Sequence, residues 1–215
     1  MTFLEAVNNV LRRMRETEVS SVNDTAYSKM VGTLINDAKT QVENAYAWNA
    51  LQDSIDVATI AGTSDYSLLG SGSRFRVLDV VDDTNNTALS RVQWAYIARQ
   101  QRMGSVGPTA PYNYAFNGVD ASGDTKVTFW PTPDDTYTIS FTCVVPQADL
   151  VDDADVIYVP YLPIVLGAYA RAVAERGEDQ GFISSEAYGL YKDALSDAIA
   201  IESSRTSDDA EWTGQ

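Results

Sequence analysis

The chain lacks histidine altogether, and it contains one cysteine among 215 residues. Without histidine there is no Ser-His-Asp or Cys-His triad, no histidine metal ligand and no imidazole general base. A lone cysteine, Cys143, cannot form an internal disulfide, so we expect a reducing compartment. No run of 18 apolar residues is present, and the N-terminal charges follow the apolar part. We therefore expect neither a transmembrane span nor a secretory signal.

Basic residues are also scarce: 15 Lys and Arg stand against 30 Asp and Glu, a formal net charge of −15. Most of the excess lies after residue 52. A body this negative repels a nucleic-acid backbone rather than binding it. The simpler interpretation of such a charge is solubility alone.

The arginines at 12, 13 and 15 would complement the dipole of a first helix, and a nucleic-acid patch is the alternative.

Two patterns of hydrophobic residues divide the chain. Residues 1–52 and 156–203 repeat at helical spacing, whereas residues 53–155 alternate with a period of two. We predict an α+β protein, with a discontinuous bundle of four helices at 1–52 and 156–203. The β insertion at 53–155 would form an antiparallel sandwich or barrel, and 204–215 would be a polar tail.

The central element is the helix that follows Pro160. Leu162, Val165, Leu166, Tyr169 and Val173 share one large face, and most of the residues between them are small. Apolar residues nearly surround the axis, which predicts burial on more than one side. A left-handed Gly177 should end the helix.

The other helices have recognisable starts. Thr2 and Glu5 have capping-box spacing before the first helix. Asn23 or Asp24 is predicted to cap a second helix that continues to about Leu51, roughly 40 Å at 1.5 Å per residue.

Seven strands are predicted in the insertion, and residues 94–101 could add one or two helical turns. Cys143 falls on the apolar side of the last strand, which indicates a small core residue rather than a nucleophile. The strands are predicted at 54–60, 64–68, 74–81, 88–93, 112–119, 126–131 and 136–145.

Three groups of acidic side chains are candidates for a chemical site. Asp152, Asp153 and Asp155, or Asp82, Asp83, Asn85 and Asn86, are candidates for calcium, but neither loop has the twelve-residue pattern ending in glutamate. Glu175, Glu178 and Asp179 are candidates for a glycosidase carboxylate pair. Exposed aromatics at Tyr112, Tyr114 and Phe116 would favour a carbohydrate- or peptide-binding module. We interpret the acidic groups as solvated and expect no catalytic, cofactor or metal site.

Several stretches, in their order and spacing, resemble the tail tubular protein A family, the head-to-tail adaptors (gatekeepers) of short-tailed bacteriophages. The resemblance covers roughly residues 30–200. It consists of YAWNAL (46–51), RFRVLDV (74–80), LSRV (89–92), GPTAPY (107–112), VTFWPTPD (127–134), PQADL (146–150) and the helix at 160–177.

This resemblance implies a structural virion protein without catalytic residues: a ring, typically twelvefold, between the portal protein and the tail nozzle, with tail fibres as a further partner. Genomic DNA would pass through the ring without specific binding, since a negative wall repels phosphates. We expect a location at the head-tail junction, after assembly in the host cytoplasm.

The polar tail is the candidate portal anchor, with Trp212 as its aromatic and Ile201 and Arg205 at the end of the last helix as further docking residues. A frayed chain end is the simpler interpretation of this segment. The alternatives to an adaptor are a β-sandwich module that binds carbohydrate or peptide, and a carboxylate-based cell-wall hydrolase.

Overall fold

The computed structural model describes residues 1–72, 74–104, 106–177 and 182–205, and it shows an α+β protein. The helices are α1 (Phe3–Arg13), α2 (Ala26–Ala45), α3 (Trp94–Met103), α4 (Tyr161–Arg176) and α5 (Phe182–Ser203), with one 3-10 turn at Asn49–Leu51. The strands are β1 (Gln52–Ala58), β2 (Asp65–Ser67), β3 (Arg76–Asp82), β4 (Thr87–Ala88), β5 (Ser90–Arg91), β6 (Asn113–Val119), β7 (Thr125–Trp130) and β8 (Thr138–Val144).

The chain forms two compact units. The first combines Met1–Leu51 with the chain from Gln147 onwards and contains α1, α2, α4 and α5. The second, Gln52–Pro146, contains all eight strands and α3. The predicted limits of the β insertion, 53–155, stay a prediction.

Helix α1 begins with the predicted capping box. The Thr2 N–H donates to Glu5 Oε2 at 2.8 Å, and the Glu5 N–H donates to Thr2 Oγ1 at 3.3 Å. These two bonds satisfy donors that a helix start leaves without intrahelical acceptors.

Helix α2 differs from the sequence prediction at both ends. Its cap is Thr25, because Asp24 directs its carboxylate to the backbone N–H groups of Ser20 and Ser21 instead. It ends at Ala45 rather than near Leu51, since Tyr46 is extended. With 20 residues it is about 30 Å long, shorter than the predicted 40 Å.

Helix α4 lies at the centre of the first unit, as predicted, although Leu162 of the predicted apolar face is exposed. Nine of its sixteen residues are buried, and it contacts α1, α2 and α5. Gly177 has φ 65° and donates its N–H to the Val173 carbonyl, which ends the helix. At Gly167 the α5 residue Tyr191 approaches so closely that an added Cβ would lie 3.1 Å from its ring. A small residue at 167 is therefore what allows α5 to pack here.

The second unit contains two four-stranded sheets. Sheet one has the order β1-β8-β3-β4, and sheet two has the order β2-β7-β6-β5. All pairs are antiparallel except β5–β6. Among the strands that the structure describes, neither sheet closes on itself, so the predicted barrel alternative is not formed.

Both sheets contribute to one apolar core. Sheet one supplies Val57, Val80, Ile139 and Phe141, and sheet two supplies Tyr114, Val127 and Phe129. Alternate residues of each strand point to opposite faces. The residues between these core positions therefore form the outer face of each sheet.

Helix α3 covers part of the outer face of sheet two. Its Ile97 is buried in a small second cluster with Ala115 and Trp130, which alternate with core residues on β6 and β7. Gln101 of α3 also donates a hydrogen bond to Ser64 Oγ at 3.4 Å. Ile97 is the one buried residue of this helix, so most of α3 faces solvent.

Candidate docking surfaces

Of the three residues predicted to dock on the portal, two lie at the end of α5. Ile201 is 58% exposed, and Arg205 follows in the turn after the helix. Trp212 lies outside the described residues. The structure therefore places Ile201 and Arg205 on an accessible surface within one helical turn of each other.

Glu202 fastens this end of α5 to the first unit. Its side chain is buried, and Oε1 accepts the backbone N–H of Asn49 at 2.9 Å. Oε2 lies 3.4 Å from Nη1 of Arg205. Because the anchor is a carboxylate on the buried side of the helix, the neighbouring Ile201 is held outward. Sequence reasoning missed Glu202, since a buried acid near a chain end has no distinctive pattern.

A second exposed apolar surface, here called the 156–162 patch, lies just before and at the start of α4. It consists of Val156, Tyr158, Tyr161 and Leu162, all exposed. Between them Ile157 and Val159 are buried, as alternation in an extended segment requires. Apolar residues clustered on a surface are typical of protein contacts.

The outward face of α3 is cationic. At 100° per residue, Arg99 and Arg102 lie opposite the buried Ile97, with Tyr96 and Met103 beside them. All four are exposed, and within the described part of the chain neither arginine has an ion-pair partner. Arginine and aromatic residues are enriched in protein interfaces.

The outer face of sheet one is acidic. The hydroxyl group of Ser140 on β8 lies between two carboxylates. Its Oγ is 2.7 Å from Oδ1 of Asp56 on β1, and it also contacts Oδ2 of Asp83, just after β3. Asp79 lies on the same face, opposite Thr142 in the register. Arg76, at the other end of β3 opposite Val144, is half-buried. Three carboxylates, one from β1 and two from β3 and the residue after it, therefore share one exposed surface.

The carboxylates of the 152–155 loop accept hydrogen bonds from backbone N–H groups. Asp155 accepts the N–H groups of Val151 at 2.7 Å and Asp152 at 2.8 Å, and these bonds lower its pKa. Asp153 accepts the N–H of Val22 at 2.9 Å.

The other loop considered as a calcium candidate is similar. Asp82 is buried and accepts the N–H groups of Thr84 and Asn85, so its carboxylate stabilises the turn after β3. Among the residues described, no three acidic or cysteine side chains converge in a way that would hold a metal ion.

The hydrolase pair is only partly described. Glu175 is exposed near the end of α4, and Glu178 and Asp179 lie outside the described residues.

The aromatics considered for a binding module do not share one exposed loop. Tyr112 is exposed, but Tyr114 is 5% exposed in the core and contacts Phe141. Phe116 is half-buried, with the Arg91 guanidinium 4.8 Å from its ring centre. The binding-module hypothesis therefore loses the feature that would have favoured it.

Cys143 is buried in β8, which confirms the prediction that it is a core residue. Burial, with a smaller effect of Asp53, raises the pKa of its thiol to about 11. A thiol this reluctant to ionise is a poor nucleophile at neutral pH.

No helix in the described ranges is both long enough and apolar enough to cross a bilayer.

The comparisons with known proteins give one family. The model of the SU10 adaptor protein family matches residues 1–215. No curated protein matches the chain.

Proposed function

We propose that this chain, which belongs to the SU10 adaptor protein family and is therefore a bacteriophage adaptor protein of the virion, forms a head-to-tail ring between the portal and the tail. The observation that carries the proposal is the match of the family model over the full chain. The proposed position between portal and tail comes from the resemblance to tail tubular protein A and the other gatekeepers of short-tailed phages.

In this proposal the protein works by contact and not by catalysis. Its partners are the portal protein, the tail nozzle protein, tail fibres and further copies of itself. The net charge of −15 supports a channel through which DNA slides without being held. We further propose that the subunit reaches the virion from the host cytoplasm during assembly.

Portal docking is assigned to the end of the chain: Ile201, Arg205 and Trp212. The exposure of Ile201 supports this assignment, because covering an exposed aliphatic side chain with a partner removes apolar surface from water and so contributes to the free energy of binding. The buried Glu202 anchor supports it as well, since a fixed helix end loses little conformational entropy on docking.

The test combines the purified full-length chain with the portal protein of the same phage. We expect rings by negative-stain microscopy and co-sedimentation with the portal. A chain that stays monomeric and never associates with a portal would refute the proposal.

Two variants locate the docking site. Removal of residues 204–215, or the substitution Ile201→Asp, should weaken co-sedimentation while circular dichroism stays unchanged. Leu69→Asp is the matched control, because Leu69 is also an exposed aliphatic residue but lies in the other unit. Unchanged co-sedimentation of the first two variants would exclude this anchor.

A further inference from the structure

The second unit has oppositely charged surfaces on its two outer faces. Both sheets direct one face to the shared core, so their outer faces lie on opposite sides of that core. The outer face of sheet two carries α3 with Arg99 and Arg102. The outer face of sheet one carries Asp56, Asp79 and Asp83.

We propose that α3 of one subunit docks on the acidic outer face of sheet one in a second copy of the chain. The inference rests on the proposed ring and names the surfaces that would form it. Two different surfaces on opposite sides of one unit give a head-to-tail contact, and such contacts generate rings when the rotation closes.

Charge complementarity is the first argument for this occupant. Arg99 and Arg102 have no ion-pair partner in the described part of their own chain, and Asp56, Asp79 and Asp83 have none either. Arginine can bind a carboxylate through two parallel hydrogen bonds, which fixes orientation as well as adding energy.

The composition of α3 is the second argument. A helix with one buried residue contributes little to its own core, yet it presents Tyr96 and Met103 beside the arginines. Aromatic residues, Met and Arg are the types enriched in protein interfaces. The outer face of sheet one carries the short side chains Thr138, Ser140 and Thr142 on β8, so a helix can approach it closely.

A charge exchange tests the contact. The helix variant is Arg99→Glu with Arg102→Glu, and the sheet variant is Asp56→Arg with Asp79→Arg. Each alone brings like charges together, and we expect its assembly into rings to weaken by about tenfold or more. The combined variant, with both faces exchanged in one chain, restores opposite charges and should recover assembly.

The matched control is Lys29→Glu with Arg74→Glu. It changes net charge by the same amount as the helix variant, and both residues are exposed and belong neither to α3 nor to a strand of sheet one. We expect it to assemble like the unaltered chain. Circular dichroism and thermal unfolding of every variant check that the fold is retained.

A disulfide gives a second readout that does not depend on charge. We expect chains carrying both Arg102→Cys and Asp79→Cys to form ladders of linked subunits in assembled rings under oxidation. The native Cys143 is buried and gives little background. The pair Lys29→Cys with Asp79→Cys is the control and should give no ladder.

The outcomes separate the two proposals. If the unaltered chain forms no rings with its portal, the proposed function fails. If it forms rings and both charge variants form them equally well, only the docking of α3 on sheet one is overturned. Rings that persist in the helix variant while binding of a tail protein or of DNA is lost would assign α3 to that partner and overturn the inference.

Discussion

Helix α2 contains a fully buried ion pair, and breaking it should destabilise the first unit strongly. Lys39 and Glu43 both have 0% side-chain exposure, and Nζ lies 3.1 Å from Oε1. Nζ also donates to the Gln147 carbonyl at 2.8 Å, which ties α2 to the chain returning from the second unit. At an effective dielectric constant of about 20, the attraction at this distance is about 5 kcal/mol.

That attraction offsets a desolvation cost of several kcal/mol for each ion. The pair therefore adds little net stability compared with an apolar pair of the same volume, but removing one partner leaves a buried charge. We expect Lys39→Met to lower the free energy of unfolding by about 3–5 kcal/mol. Glu43→Leu should cost somewhat less, because Lys39 keeps the Gln147 carbonyl as an acceptor.

Urea unfolding followed by circular dichroism at 222 nm measures these changes. The decisive variant is the double substitution Lys39→Met with Glu43→Leu, which we expect to recover most of the loss. If the double variant is as destabilised as the sum of the single ones, or if each single change costs less than about 1 kcal/mol, the argument from buried charge is wrong.

Three smaller predictions concern other contacts. Glu202→Ala removes the carboxylate acceptor of the Asn49 N–H and should cost about 1–3 kcal/mol in thermal unfolding, whereas Glu202→Gln keeps an acceptor and should cost less. Gly167→Val should cost about 1–3 kcal/mol by crowding Tyr191, and full stability in urea would show that the ring moves freely. The backbone N–H groups of Val151 and Asp152 lower the pKa of the Asp155 carboxyl group below 3.8. The stabilisation that this carboxylate provides is therefore present above pH 3.8 and is lost as the pH falls from there through the lowered pKa. The difference in melting temperature between the unaltered chain and Asp155→Asn should therefore shrink as the pH falls below 3.8; a constant difference would contradict this.

Local sequence signals predicted much of the secondary structure. The capping box at Thr2, the end of α4 at Gly177 and the alternation in β8 all depend on neighbours within a few residues, and all three are observed. The predicted start of α2 was wrong because neighbouring polar residues compete for the cap position. The Asp24 carboxylate accepts the backbone N–H groups of the preceding Ser20 and Ser21, which leaves the cap to Thr25.

The surfaces were harder to predict, because exposure depends on packing and not on residue type. Tyr158 and Ile157 are both apolar neighbours in sequence, yet one is exposed and the other buried. The acidic face of sheet one unites Asp56 with Asp79 and Asp83 through strand register, which the sequence does not reveal. The exposure of Ile201 is consistent with the hypothesis that it docks on the portal, but it does not test that hypothesis.

The second unit leaves and rejoins the first through strands that lie side by side. Gln52, the first residue of β1, is opposite Val144, the last residue of β8. The two connections of this inserted unit therefore lie next to each other. Replacement of the whole second unit would need only two joints, which lie next to each other in space.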